Sequence, residues 1–203
     1  MINRWLTAAV LGCFLTTGAP AQDARRIEGD EAKKLAQAFT EASGKLDNLP
    51  VKVTPDIDKG MGLTAKKRAL LVVPDSGLKV NISKKLDKEI VPLGLLYSHR
   101  LTPVVAEQAV PEEQHRTVEV SIKDHKAKVL VMQLAATKVA DRLVLLLYTK
   151  GKSPALVTTL VETDDAKDQP LHLEAHKGGD GQAIIVLTVL GRYRASFPVA
   201  AQD

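Results

Sequence analysis

The sequence predicts a mainly β protein: a single antiparallel β-sandwich-like domain with one N-terminal α-helix packed against it. Three observations lead there. Residues 127–148 hold two dense apolar runs, 129–136 and 143–148, split only by residues 137–142, and a strand pair is their simplest reading. From residue 117 onward, short apolar or alternating segments follow one another with turn residues between them, as in antiparallel sheets packed face to face. One sustained helical period stands upstream, over residues 30–43.

At 203 residues the chain suits one sizeable core with extensions. Its first 21 residues read as a signal peptide. Asn3 and Arg4 form a short positive region, residues 5–15 are apolar, and Ala19-Pro20-Ala21 ends in the small-x-small pattern of a cleavage site. Cleavage after Ala21 predicts a secreted or periplasmic product. The alternative is a lipoprotein anchored through Cys13, because Val10-Leu11-Gly12-Cys13 loosely matches a lipidation box, although Leu11 is large for it and Phe14-Leu15 prolong the apolar segment. No stretch approaches the roughly 18 uninterrupted apolar residues of a transmembrane span. Once Cys13 is removed no cysteine remains, which excludes disulfides, thiolate nucleophiles and cysteine metal sites.

Loss of Arg4 with the leader leaves 27 basic residues against 24 acidic ones, a mild +3 with the two signs interspersed. Only Phe39, Tyr97, Tyr148, Tyr193 and Phe197 remain as aromatics. Base stacking and sugar stacking both need flat π-faces, so the composition argues against nucleic acid and supplies a carbohydrate site poorly.

Taken in order, residues 22–29 are polar and read as a disordered tether. The helix over 30–43 has Asp30 and Glu31 where the dipole favours negative charge, an apolar period of Ala32, Leu35, Phe39, Ala42 and Leu46, and Gly44 as a stop. Residues 50–54 alternate like a strand that Pro55 ends. Asp56 and Asp58, followed by Gly60 and Gly62, imitate the start of a calcium loop. Lys67 stands where such a loop needs its bidentate glutamate, so a glycine-rich turn is the better reading. Residues 69–73 form a strand closed by the turn Pro74-Asp75-Ser76-Gly77. Residues 83–89 suggest one or two helical turns, and 92–97 and 101–105 suggest strands. A loop over 107–116 is a candidate sub-boundary inside a domain spanning 30–203. Strands are then expected over 117–122, 128–135, 142–148, 155–161, 171–176, 182–190 and 192–199.

Candidates for acid–base chemistry are His99, His115, His125, Asp124 and Asp75, and for a hard cation Asp56, Asp58, Asp164 and Asp165. Each also has a plainer explanation: Asp75 and Asp124 sit in turns, and Lys167 interrupts the acidic loop. His172 and His176 lie in the alternating segment LHLEAHK. Four strand residues span roughly 13 Å, so they share the solvent face with Glu174 without chelating one ion. Phosphate loops, H-E-x-x-H and C-x-x-C are absent, and no cofactor is expected.

The expectation for function is an exported non-catalytic domain that binds or scaffolds an envelope protein or polymer, in the bacterial envelope or outside the cell. The rivals are a secreted hydrolase or metalloprotein assembled from dispersed His and Asp residues, and a carrier of an apolar ligand between the sheets. Residues 129–132 and 143–147 are apolar on both strand faces, so each face needs a cover. The helix over 30–43 is expected to supply the second one, with a homo-oligomer as the alternative.

Overall fold

The computed structural model describes residues 24–44, 49–80, 83–122, 125–179 and 181–202. Residues 1–21, expected to be a signal peptide, and Cys13 within them lie outside the described residues. In chain order the elements are β1 (Arg25–Ile27), α1 (Gly29–Ser43), a 3-10 turn (Ile57–Lys59), β2 (Met61–Ala65), β3 (Arg68–Pro74), α2 (Ser83–Leu86), β4 (Val91–His99), β5 (Leu101–Val105) and β6 (Gln108–Ala109). After a second 3-10 turn (Glu112–Gln114) come β7 (Thr117–Ile122), β8 (His125–Val139), β9 (Arg142–Tyr148), β10 (Leu156–Thr159), β11 (Val161–Glu162), β12 (Leu171–Lys177), β13 (Ala183–Val189) and β14 (Tyr193–Ala201).

These form two antiparallel sheets, so the mainly β, sandwich-like class with one substantial helix is the observed one. The larger sheet runs β1-β2-β3-β4-β8-β9-β10, with β7 also on β8; the smaller runs β12-β13-β14-β5-β6, with β11 also on β14. The chain crosses between the sheets three times, once through residues 110–116 between β6 and β7 and twice at sharp corners. At Arg100, in the left-handed region with φ 57°, β4 of the larger sheet continues as β5 of the smaller. At Leu160, β10 of the larger sheet gives way to β11 of the smaller. Such corners are how packed sheets share strands.

β8 is the axis. One of its edges pairs with β4 over Leu130 to Ala136, and the other is divided between β7 and β9. Leu130, Met132, Leu134 and Ala136 face the smaller sheet, meeting Ile185, Leu187 and Phe197 in the main core. Val129 and Val131 point the other way and join Leu71, Val73, Leu95 and Tyr97 beneath Ala32, Ala36 and Phe39 of α1. Leu35 is half-buried and Phe39 is 7% exposed, so the helix does cover this face. The rings of Phe39 and Tyr97 lie 5.2 Å apart at 58°, a geometry that adds ~0.5–1.5 kcal/mol to their burial.

The helix does not cover all of it. Ala135, Val144, Leu146 and Tyr148 form a separate outer cluster, against which Val51 packs. Gln133, 1% exposed, holds that segment as a neighbouring strand would: its Nε2 donates to Val51 O at 2.6 Å and its Oε1 accepts from Val51 N at 3.4 Å.

Two local expectations are corrected. Arg25–Ile27, expected in a disordered tether, is strand β1: it pairs with β2, buries Ile27 under α1, and Arg25 clasps Glu31 through two 2.8 Å bonds. Residues 50–54 are not a strand. They carry no ladder pairing, and the nearest strand-like contact is the isolated bridge Pro55↔Asp75. The strand lies further on, at Met61–Ala65, because Gly62 can approach β3 where a Cβ would stand 2.5 Å from Leu70 O.

Candidate functional site

Most of the residues singled out for chemistry hold the fold together. Asp75 accepts from Thr54 N at 2.7 Å and from Gly77 N at 2.9 Å, closing its own turn. Asp56 pairs with Lys59, and Asp58 with Lys33 at 2.6 Å, which ties α1 to the 3-10 turn. His99 Nδ1 lies 3.2 Å from Lys128 O. A carbonyl only accepts, so that nitrogen carries the proton. His115 is buried, and its Nε2 faces Val110 O at 2.9 Å and the Thr102 hydroxyl at 3.0 Å. The same reasoning puts a proton on Nε2 and makes His115 the anchor that folds residues 106–116 back over β5. Asp124 lies outside the described residues, as does the side chain of His125. Asp164 is exposed.

The structure thus sets His99, His115 and Asp75 in separate structural contacts. Among the described residues, no group of three or more His, Cys, Asp or Glu side chains has the geometry to hold a metal ion.

A different set does converge, on the outward face of the smaller sheet. Strand alternation puts Leu171, Leu173, Ile185, Leu187 and Ala195 in the main core, leaving His172, Thr188 and Arg194 as direct cross-strand neighbours on the other side. Glu174 lies in the next row. Its carboxylate is 3.4 Å from His172 Nε2, 3.7 Å from His176 Nε2 and 4.0 Å from Arg194. His172, His176 and Glu174 share one face, as the alternation requires, yet their side chains are only 14%, 30% and 23% exposed. They are half-buried in a network instead of lying open to water.

Two further elements complete the network. Residues 163–170 are laid along the β13–β14 turn by main-chain bonds from Thr163 N to Arg192 O, Lys167 N to Gly191 O and Leu190 N to Pro170 O. That fixed loop places Asp165 between Lys167, at 2.8 Å, and Arg194, at 3.2 Å. Lys167 holds the Asp165 carboxyl below the usual carboxylate range, with Arg194 adding to the effect. A candidate cation ligand is therefore already neutralised by two cations. From the opposite side β1, the edge of the larger sheet, sends Arg26 to His172, Nη2 to Nε2, at 3.3 Å. Burial pushes the His172 imidazole below its ordinary value, Arg26 and Lys167 push it the same way, and Glu174 opposes them.

Thr188 sits at the centre. It is fully buried, and its hydroxyl has no hydrogen-bond partner among the described residues. No base is bonded to it, so the row is not a hydroxyl–imidazole–carboxylate relay. What the patch offers is recognition chemistry: donors and acceptors of both signs, partly desolvated and held in place by five elements. The alternation in LHLEAHK exposed its first line. Arg26, Lys167 and Arg194 reach it only through the sheet topology.

Comparison with known proteins adds no identification: no protein-family model, curated protein or solved structure matches the chain.

Proposed function

We propose that the protein is an exported, non-catalytic domain that works by binding, and that the mixed-charge face of the smaller sheet is its recognition surface. The observation carrying this reading is the convergence of Arg26, Lys167, Asp165, His172, Glu174 and Arg194 from β1, a fixed loop, β12 and β14 onto one half-buried patch. A sheet face that only needs solubility is served by scattered, solvated charges; a patch that pairs both signs beside Val186 and Thr188 suits a partner carrying complementary charges. The leader pattern over residues 1–21 supports export, and an envelope protein or polymer is the partner this reading expects.

Cross-linking the purified protein in an envelope extract, followed by mapping of the linked residues, tests the reading. Links clustering at residues 163–177 and 192–196 support it. Saturable turnover of an ester, glycoside or peptide substrate, abolished by a single substitution, overturns it in favour of a hydrolase.

A further inference from the structure

We propose that His172 is a two-position proton switch across the seam between the sheets: its Nε2 stands 3.3 Å from Arg26 Nη2 and 3.4 Å from Glu174 Oε1, and protonation decides which of them it bonds. A guanidinium has donors and no lone pair, whereas an ionised carboxylate only accepts. One ring nitrogen therefore cannot satisfy both. With the proton on Nδ1, Nε2 presents a lone pair, accepts from Arg26 and turns no hydrogen towards Glu174. Once Nε2 is protonated it donates to Glu174, and Arg26 is left beside a second cation.

The surroundings favour such a device. The charged and titratable groups around His172 are Arg26 on β1, whose Nη1 also bonds Glu28 at 3.4 Å, Lys167 and Asp165 on the loop over 163–170, Glu174 and His176 on β12, and Arg194 on β14, while β13 presents only the neutral Thr188. Lys167 and Arg194 are drawn to Asp165 and Glu174, so Arg26 is the cation whose contact changes with the proton. Burial and the adjacent cations keep the imidazole neutral to a lower pH than usual, so the Arg26 bond is the neutral-pH state.

The switch joins two edges. Arg26 belongs to β1, a three-residue edge strand of the larger sheet, and His172 to β12, the edge of the smaller sheet, which runs beside β2. Ile27, next to Arg26, is buried under α1. Acidification moves His172 from a partner on the other sheet to one on its own strand, so the seam loosens at β1 while β12 keeps its contacts. This holds whatever the outer face binds.

Histidine ring 15N spectra of the purified protein, titrated from pH 8 to 4.5 with amide exchange followed in parallel, test it. At pH 8 His172 is expected as the Nδ1–H tautomer, titrating below the 6.5 of a free imidazole. Exchange at β1 should quicken by about two- to fivefold through the same midpoint, the range set by loss of one partly exposed charged contact. Arg26→Ala should raise the midpoint and remove that step, and Glu174→Gln should lower the midpoint. An Nε2–H tautomer at pH 8 overturns the switch, as does β1 exchange with no step at the His172 midpoint. The tautomer is read on the unsubstituted protein, so the test remains decisive even where a variant fails to fold.

Discussion

Gln133→Leu isolates the bond that holds residues 49–54 over the sheet. The Gln133 side chain is buried and spends both ends of its carboxamide on Val51, at 2.6 and 3.4 Å. Leucine keeps the volume, so no cavity term enters, but it leaves the Val51 N–H and C=O without their partner. A net hydrogen bond contributes ~0.5–1.5 kcal/mol, and a stranded buried group costs ~1–3 kcal/mol. The short bond to Val51 O dominates and the 3.4 Å contact adds little, so the expected loss is about 2 kcal/mol, reduced somewhat by leucine's greater apolarity. For a domain of this size that lowers Tm by ~4–8 °C. Thermal and urea denaturation measure the loss. Amide exchange should rise selectively over residues 49–54, and a solvatochromic dye should report exposure of Ala135, Val144, Leu146 and Tyr148. A loss below ~0.5 kcal/mol with unchanged exchange would refute the claim that Gln133 secures this cover.

Phe39→Ala should cost ~3–5 kcal/mol in urea denaturation, because it removes the largest side chain that α1 buries; a loss near zero would mean that the helix is not the cover. Gly94→Ala should destabilise by more than ~2 kcal/mol, since Gly94 has φ 150° and a Cβ there would meet Val73 O at 2.3 Å. Folding at wild-type stability would contradict that close approach. The pair Ala140→Asn and Asp141→Gly should raise Tm, by ~0.5–1 kcal/mol of stability, because both positions have positive φ in a two-residue hairpin.

What the sequence revealed follows from how each feature is encoded. Two-sided apolarity at residues 129–132 and 143–147 announced two covers, and the stripe of Ala32, Leu35 and Phe39 named one of them. The further cover over Ala135, Val144, Leu146 and Tyr148 was hidden because it works through one polar side chain, Gln133, bonded to a residue 82 positions away. Turn chemistry misled at residues 137–142: β8 runs on to Val139, and Ala140 and Asp141 make the hairpin at φ 46° and 64° without an Asn-Gly signature. β1 escaped notice because two of its three residues are exposed arginines and only Ile27 is buried. The candidate site was half legible. His172, Glu174 and His176 show on one face by simple alternation, but Arg26 meets His172 across 146 positions, a contact that only the topology creates.

The most direct test of the binding account is a paired capture experiment in envelope extract. One variant carries Lys167→Ala and Arg194→Ala, removing two cations from the outer face of the smaller sheet. The other carries Lys67→Ala and Arg68→Ala at the β2–β3 turn, removing the same charge elsewhere. With both variants shown to be folded by thermal denaturation, partner capture should be lost by the first and kept by the second. Equal capture by both, or equal loss, would contradict the claim that this face is the recognition surface.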